Sequence, residues 1–182
     1  MLLPQSFYNR STLKVARDLL GCFLVRRLGG KTIKTIITET EAYHGPRDLA
    51  SHASRGKTPR NEVMFGPPGI IYVYFIYGMY YMLNIVTGPR DYPAAVLIRG
   101  LAPIEEGNRF LNLAGPARLT KALSIDKSFN KLPVFTKKHG LWIEARKIEV
   151  KPSQIKRAKR IGIDYAGPYR YKKWRFILKK EG

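Results

Sequence analysis

The stretch YVYFIYGMYYMLN, residues 72–84, packs five tyrosines and one phenylalanine into thirteen positions. Tyr, Phe, Val and Ile suit a pleated, half-buried surface, so the stretch reads as an aromatic strand with its turn. The chain therefore needs a sheet to receive it. A core alone does not account for the composition, because each buried phenol needs a hydrogen-bond partner that Leu or Val would not. So many flat, hydroxyl-tipped side chains in one place suggest a purpose beyond packing.

The flanking sequence supplies the rest of a sheet. STLKVARDLLG reads as a helix capped by Ser11 or Thr12, with Leu13, Ala16, Leu19 and Leu20 on its apolar face and Gly21 as its stop. CFLVRRL and KTIKTIIT flank Gly29-Gly30 and read as a β-hairpin whose second arm runs into the acidic, turn-rich ETEAYHGPRDLASH. After the polar loop RGKTPRNEVMFGPPG and the aromatic strand, AAVLIRG reads as another buried strand. PIEEGNRFLNLAG and GPARLTKALSI read as helical, HGLWIEA and KIEVKP as short strands, SQIKRAKRIG as a basic helix or turn, and WRFILKK as a closing strand. With no repeat, linker or low-complexity boundary, residues 1–182 read as one α+β domain.

Charge narrows the partners. The chain carries 33 Lys and Arg against 13 Asp and Glu, a net +20, which exceeds what solubility needs and points to a polyanion. Nucleic acid is the first reading and an anionic membrane surface the second. No run approaches the roughly 20 apolar residues of a spanning helix, and the N-terminus is too short and polar for a signal peptide. The expected location is the cytoplasm or nucleoid. Cys22 is the one cysteine, so neither a disulfide framework nor a cysteine metal site is expected.

In so cationic a chain, an acid near the binding face needs a reason to be there. Glu39 and Glu41 stand two apart at the end of an apolar strand, on one face if the strand persists. They read either as a solvated strand end or as a pocket holding a general base. Tyr43 and His52 add an aromatic ring and an imidazole nearby. With His44 they invite a metal site, but the spacing matches no zinc pattern, and none is expected. In KRAKRIGIDYAGPYRYKKWRF, basic residues alternate with aromatics that would either pack the core or line a groove.

The blocks ETEAYHGPRDLASH, TPRNEVMF, YVYFIYGMYYMLNIV, VLIRGLAP, GPARLTKAL and RIGIDYAG…WRF occur in this order. Together they resemble the alkyladenine (3-methyladenine) DNA glycosylase family, the animal and bacterial type distinct from helix-hairpin-helix glycosylases, over residues 11–176. The resemblance implies a compact domain with a curved, mainly antiparallel sheet and flanking helices, similar to the C-terminal domain of methionyl-tRNA formyltransferase. It also implies a monomer that needs no cofactor and acts on double-stranded DNA containing damaged purines: 3-methyladenine, 7-methylguanine, hypoxanthine or ethenoadenine. By the same resemblance Glu41 is the base that activates water. Tyr43, His52 and Tyr74 form the walls for the extruded purine, and Asn84 guards the floor against guanine's 2-amino group. Tyr77 is the wedge that fills the vacated place in the duplex, while Arg99, Arg60 and Met64 face the DNA backbone. Tyr72, Tyr80 and Tyr81 read as core or support.

Overall fold

A computed structural model describes residues 1–104 and 113–179. They form an eight-stranded, antiparallel, curled sheet with few helices, made of β1 (Phe23–Leu28), β2 (Lys31–His44), β3 (Ile71–Ile76), β4 (Tyr80–Val86), β5 (Ala94–Pro103), β6 (Leu141–Glu144), β7 (Ile155–Ala158) and β8 (Arg175–Leu178). The strand order is β3-β4-β5-β2-β1-β6, with β8 beside β2 and β7 beside β8. The short helices α1 (Gln5–Tyr8) and α2 (Thr12–Asp18) precede β1 (Phe23–Leu28) and β2 (Lys31–His44). Val15, Ala16, Leu19 and Leu20 are fully buried, so the expected apolar face of α2 lies on the sheet, with Ser11 as N-cap. Gly29 and Gly30 take φ of 55° and 77° and close the β1–β2 hairpin at Leu28 and Lys31, the left-handed pair that a tight hairpin turn requires.

β2 does not give way to a turn-rich loop at ETEAYH. It continues to His44 because both its edges are occupied: β5 (Ala94–Pro103) pairs along Thr35–His44, while β8 (Arg175–Leu178) takes Glu39–Glu41 on the other side. Both acids thus lie within the strand, Glu39 inside a bulge of the β2–β5 register and Glu41 just past it. The bulge bends the strand and turns its side chains toward a new direction, a common device beside functional sites.

The aromatic stretch is two strands rather than one. β3 (Ile71–Ile76) and β4 (Tyr80–Val86) pair antiparallel, from Ile71 opposite Ile85 to Ile76 opposite Tyr80. Tyr77 and Gly78, at φ of 51° and 67°, make the reversal, and the Met79 N–H donates to the Ile76 carbonyl at 3.1 Å. The apolar run masks this break because Gly78 is its one punctuating residue.

α3 (Pro116–Ala122) packs against β4 and β5, β6 is Leu141–Glu144, and β8 forms as read. Two readings change. KIEVKP is not a strand, and its Ile148 is 82% exposed. SQIKRAKRIG contributes neither a helix nor a simple turn but β7 (Ile155–Ala158), paired from Ile155 opposite Leu178 to Ala158 opposite Arg175. Pairing to a neighbour overrides a weak local preference there. The helical reading of PIEEGNRFLNLAG falls largely outside the described residues. No helix among the described residues is long and apolar enough to cross a membrane.

Candidate active site

The face of the sheet turned away from α2 opens into a cavity of about 380 Å³, within the range of small-ligand pockets, about 300–1,000 Å³. β2 supplies Glu41 and Tyr43, β3 supplies Tyr72 and Tyr74, β4 supplies Met82 and Asn84, and β5 supplies Leu97 and Arg99; His52, Met64, Tyr77, Ile161, Gly162, Ile163 and Tyr165 are among the other lining residues. Four adjacent strands thus point alternate side chains at one place, as the pleat dictates.

Glu41 has no exposed surface. Its Oε1 accepts the Ile161 N–H at 2.9 Å and its Oε2 accepts the Tyr43 hydroxyl at 3.0 Å, while the Arg99 Nε stands 3.6 Å from Oε1. Burial raises the carboxyl above the usual glutamate range, and Arg99, the Ile161 N–H, Tyr43 and Arg160 each pull it partly back. The opposition matters, since a carboxyl displaced upward by burial but solvated by fixed donors can still work as a base near neutrality. Glu39 differs. It is partly exposed and held by Arg175 at 3.0 Å and Arg99 at 3.2 Å. The two acids share one arginine, and only Glu41 lines the cavity.

The walls are aromatic and neutral. His52 stands edge-on to Tyr74 with ring centroids 4.5 Å apart, and its Nδ1 lies 3.1 Å from the Tyr72 hydroxyl. Burial and Arg60 push the imidazole below its ordinary value, which favours its uncharged form. Burial lifts the Tyr43 and Tyr74 phenols, and takes Tyr72 to about 12. Asn84 is buried, and its amide donates to the carbonyls of Tyr72 at 3.2 Å and Met82 at 3.3 Å. Those two bonds fix it as a rigid part of the floor.

Of the residues read from sequence, Glu41, Tyr43, His52, Tyr74, Tyr77, Asn84, Arg99 and Met64 all line the cavity. Tyr77 stands at the β3–β4 tip, 83% exposed. Met64, read as facing the DNA backbone, has its side chain buried at 2% exposure in a cluster with Ala53, Val63 and Tyr72. Arg99, read the same way, has its guanidinium on Glu39 and Glu41. Arg60 is exposed at the rim, donating to the Phe75 carbonyl at 3.1 Å with its guanidinium over the Tyr74 ring at 5.7 Å. Tyr81 packs against the core as support, Tyr72 is buried but lines the cavity, and Tyr80 is 40% exposed. Among the described residues no group of His, Cys, Asp and Glu comes together as a metal site.

The sequence reading missed Asp48, Arg160, Tyr165 and the Ile161 N–H. Arg160 was one cation in a basic run, and a backbone N–H leaves no mark in a sequence.

Comparison with known proteins gives a consistent result. The model of the methylpurine-DNA glycosylase (MPG) family matches residues 6–182. A relative from Anaeromyxobacter dehalogenans (strain 2CP-C) is 46% identical over 98% of this chain and 84% of its own. One from Methanocella arvoryzae is 46% identical over 98% of this chain and 92% of its own, and one from Carboxydothermus hydrogenoformans is 52% identical over 71% and 73%. All three carry the provisional name 3-methyladenine DNA glycosylase.

Proposed function

The chain belongs to the methylpurine-DNA glycosylase family, and from that membership we propose that it is a monofunctional DNA glycosylase that removes alkylated or deaminated purines from duplex DNA. The observation that carries this reading is a fully buried carboxylate, Glu41, at the end of a cavity walled by Tyr43, His52 and Tyr74. A base inside a duplex is beyond the reach of any glycosylase pocket, so the nucleotide must be extruded, at a cost of a few kcal/mol. Stacking on aromatic side chains returns roughly 1–3 kcal/mol per base. Two or three such contacts, with Tyr77 in the gap left behind, offset the extrusion. That is the purpose of the tyrosine-rich hairpin.

Electrostatics supports the chemistry. A purine alkylated at N3 or N7 is cationic, and its glycosidic bond breaks through a sugar with oxocarbenium character. Neutral walls avoid repelling the cation, and Glu41, the one carboxylate lining the cavity among the described residues, stabilises the positive sugar while taking a proton from the attacking water. The test is to incubate the protein with duplexes carrying one lesion each and to measure free base and abasic sites. Release from none of 3-methyladenine, 7-methylguanine, hypoxanthine or ethenoadenine duplexes would remove the proposal.

Two further outcomes follow. Only ionised Glu41 can act as base, and burial raises its carboxyl. The rate on a cationic lesion is therefore low in acid, rises with pH at a higher value than an ordinary glutamate would give, and then levels off. A neutral purine such as hypoxanthine also needs protonation, so its profile is a bell. Single-turnover rates from about pH 5 to 9 on the two lesions check this; matching bells would mean that an acid acts on charged bases too. Asn84→Ser shortens the floor and makes room for guanine's 2-amino group. It should raise release of guanine derivatives relative to adenine derivatives by about tenfold, read as the ratio of single-turnover rates, and an unmoved ratio would place the exclusion elsewhere.

A further inference from the structure

Arg160 and Asp48 are 112 residues apart and have fully buried side chains. Their pairing is bidentate: Arg160 Nη1 donates to Asp48 Oδ2 at 2.6 Å and Nη2 to Oδ1 at 2.8 Å. Asp48 also accepts the backbone N–H groups of His44 at 3.0 Å and Ala50 at 3.1 Å. Arg160 Nη1 donates in addition to the carbonyl of Ala42 at 2.9 Å, the residue between Glu41 and Tyr43. The guanidinium carbon lies 4.9 Å from the Tyr43 ring centre and 5.0 Å from that of Trp174. One peptide unit further on, the Ile161 N–H is bonded to Glu41.

Burying a full ion pair is a poor way to gain stability, because desolvation offsets much of the attraction and apolar side chains of similar volume serve as well. What the pair provides is position. The planar fork of an arginine fixes direction as well as distance, and this one ties three separate segments together: the middle of β2, the loop at Asp48–Ala50 and the segment after β7. The Ile161 N–H cannot move away from Glu41 unless the Arg160 fork lets go of Ala42 and Asp48.

We propose that Arg160, held by Asp48, is a positioning residue for the base: it fixes the Ile161 N–H on Glu41 and the Tyr43 ring in the cavity wall. This inference rests on the glycosylase reading of the site. Arg160 touches neither the extruded purine nor the water, and acts through the two groups it holds.

The test compares the parent with Arg160→Lys and Asp48→Asn. The lysine variant keeps the charge without the fork, and the asparagine variant keeps the shape without the charge. The groups that face Glu41 are Tyr43 from β2, Tyr74 from β3, Arg99 from β5 (which also holds Glu39), and Arg160 with the Ile161 N–H from the segment after β7. Arg160→Lys disturbs the last pair and the Tyr43 ring that Arg160 packs on, and leaves Tyr74 and Arg99 in place. Its single-turnover rate should fall by about 10²-fold, as expected for displacing a reacting group by about 1 Å, with lesion-duplex affinity unchanged. The rising limb of its pH profile should move to higher pH, since Glu41 loses a donor that favours its ionised form. In the parent, the Ile161 amide signal in NMR should titrate with Glu41, and in both variants that coupling should weaken. Folded variants with the parental rate and limb, or with a slower rate and an unmoved limb, overturn the proposal. So does failure of both variants to fold, which would make the clamp a folding element only. A parent that releases no base from any lesion duplex sinks the glycosylase reading instead, and the Ile161 titration still reports on the clamp.

Discussion

Glu41→Gln is expected to abolish base release while leaving affinity for lesion DNA intact or higher. The substitution keeps the size of the side chain and an oxygen for the Ile161 N–H, so the cavity persists. Because burial already disfavours the ionised carboxyl, a neutral amide removes a cost to the fold. Arg99 keeps its closer partner, Glu39, at 3.2 Å. What disappears is the group proposed to take a proton from water and to face the positive sugar. Loss of a general base alone lowers a rate by about 10²–10⁴-fold, and the lost charge on an oxocarbenium-like transition state adds to that. Binding improves if it changes at all, since one fewer negative charge faces the phosphates. Single-turnover kinetics and a direct affinity measurement on the same duplex separate the two effects. Retained full activity would transfer the role to Glu39, which is more exposed and tied to Arg175 and Arg99.

Tyr77→Ala should weaken the extruded state by about 1–3 kcal/mol, or roughly 5- to 150-fold. Tyr77 is a non-glycine residue at φ 51° on a hairpin tip, a conformation that costs energy and that bulky residues rarely adopt. At 83% exposure its ring has no core contact to explain its place. Its removal should leave the fold and the salt dependence of DNA binding nearly unchanged, because no phosphate contact is lost. A fluorescent base analogue in the lesion strand reports extrusion directly. An identical signal from variant and parent would reduce Tyr77 to an ornament of the turn.

Most of the pocket was legible because its residues fall in short contiguous motifs: ETEAY gives Glu41 and Tyr43, and the aromatic hairpin gives Tyr74, Tyr77 and Asn84. The β1–β2 hairpin was legible for a local reason too, the Gly29-Gly30 turn. What was not legible depended mostly on neighbours distant in sequence. Met64 belongs to a polar loop by sequence but turns inward, because Val63 and Tyr72 offer it an apolar neighbourhood. β3 and β4 fuse into one apparent strand because side-chain character does not change at the turn. β7 forms because β8 is beside it, which no local pattern reveals. Arg160 was hidden for the opposite reason: among 33 basic residues, nothing marks the one that turns inward to a buried aspartate.

In the proposed function, the cavity between Tyr43, His52 and Tyr74 receives an extruded purine with Glu41 at its glycosidic bond. A crystal structure of the Glu41→Gln variant with a duplex carrying one hypoxanthine tests this most directly, because that variant should bind without turning over. The expected complex has the purine stacked within those three rings, residue 41 at its sugar, and Tyr77 inserted in the base stack. A hypoxanthine still paired inside the helix, or bound at some other surface with the cavity empty, would contradict it.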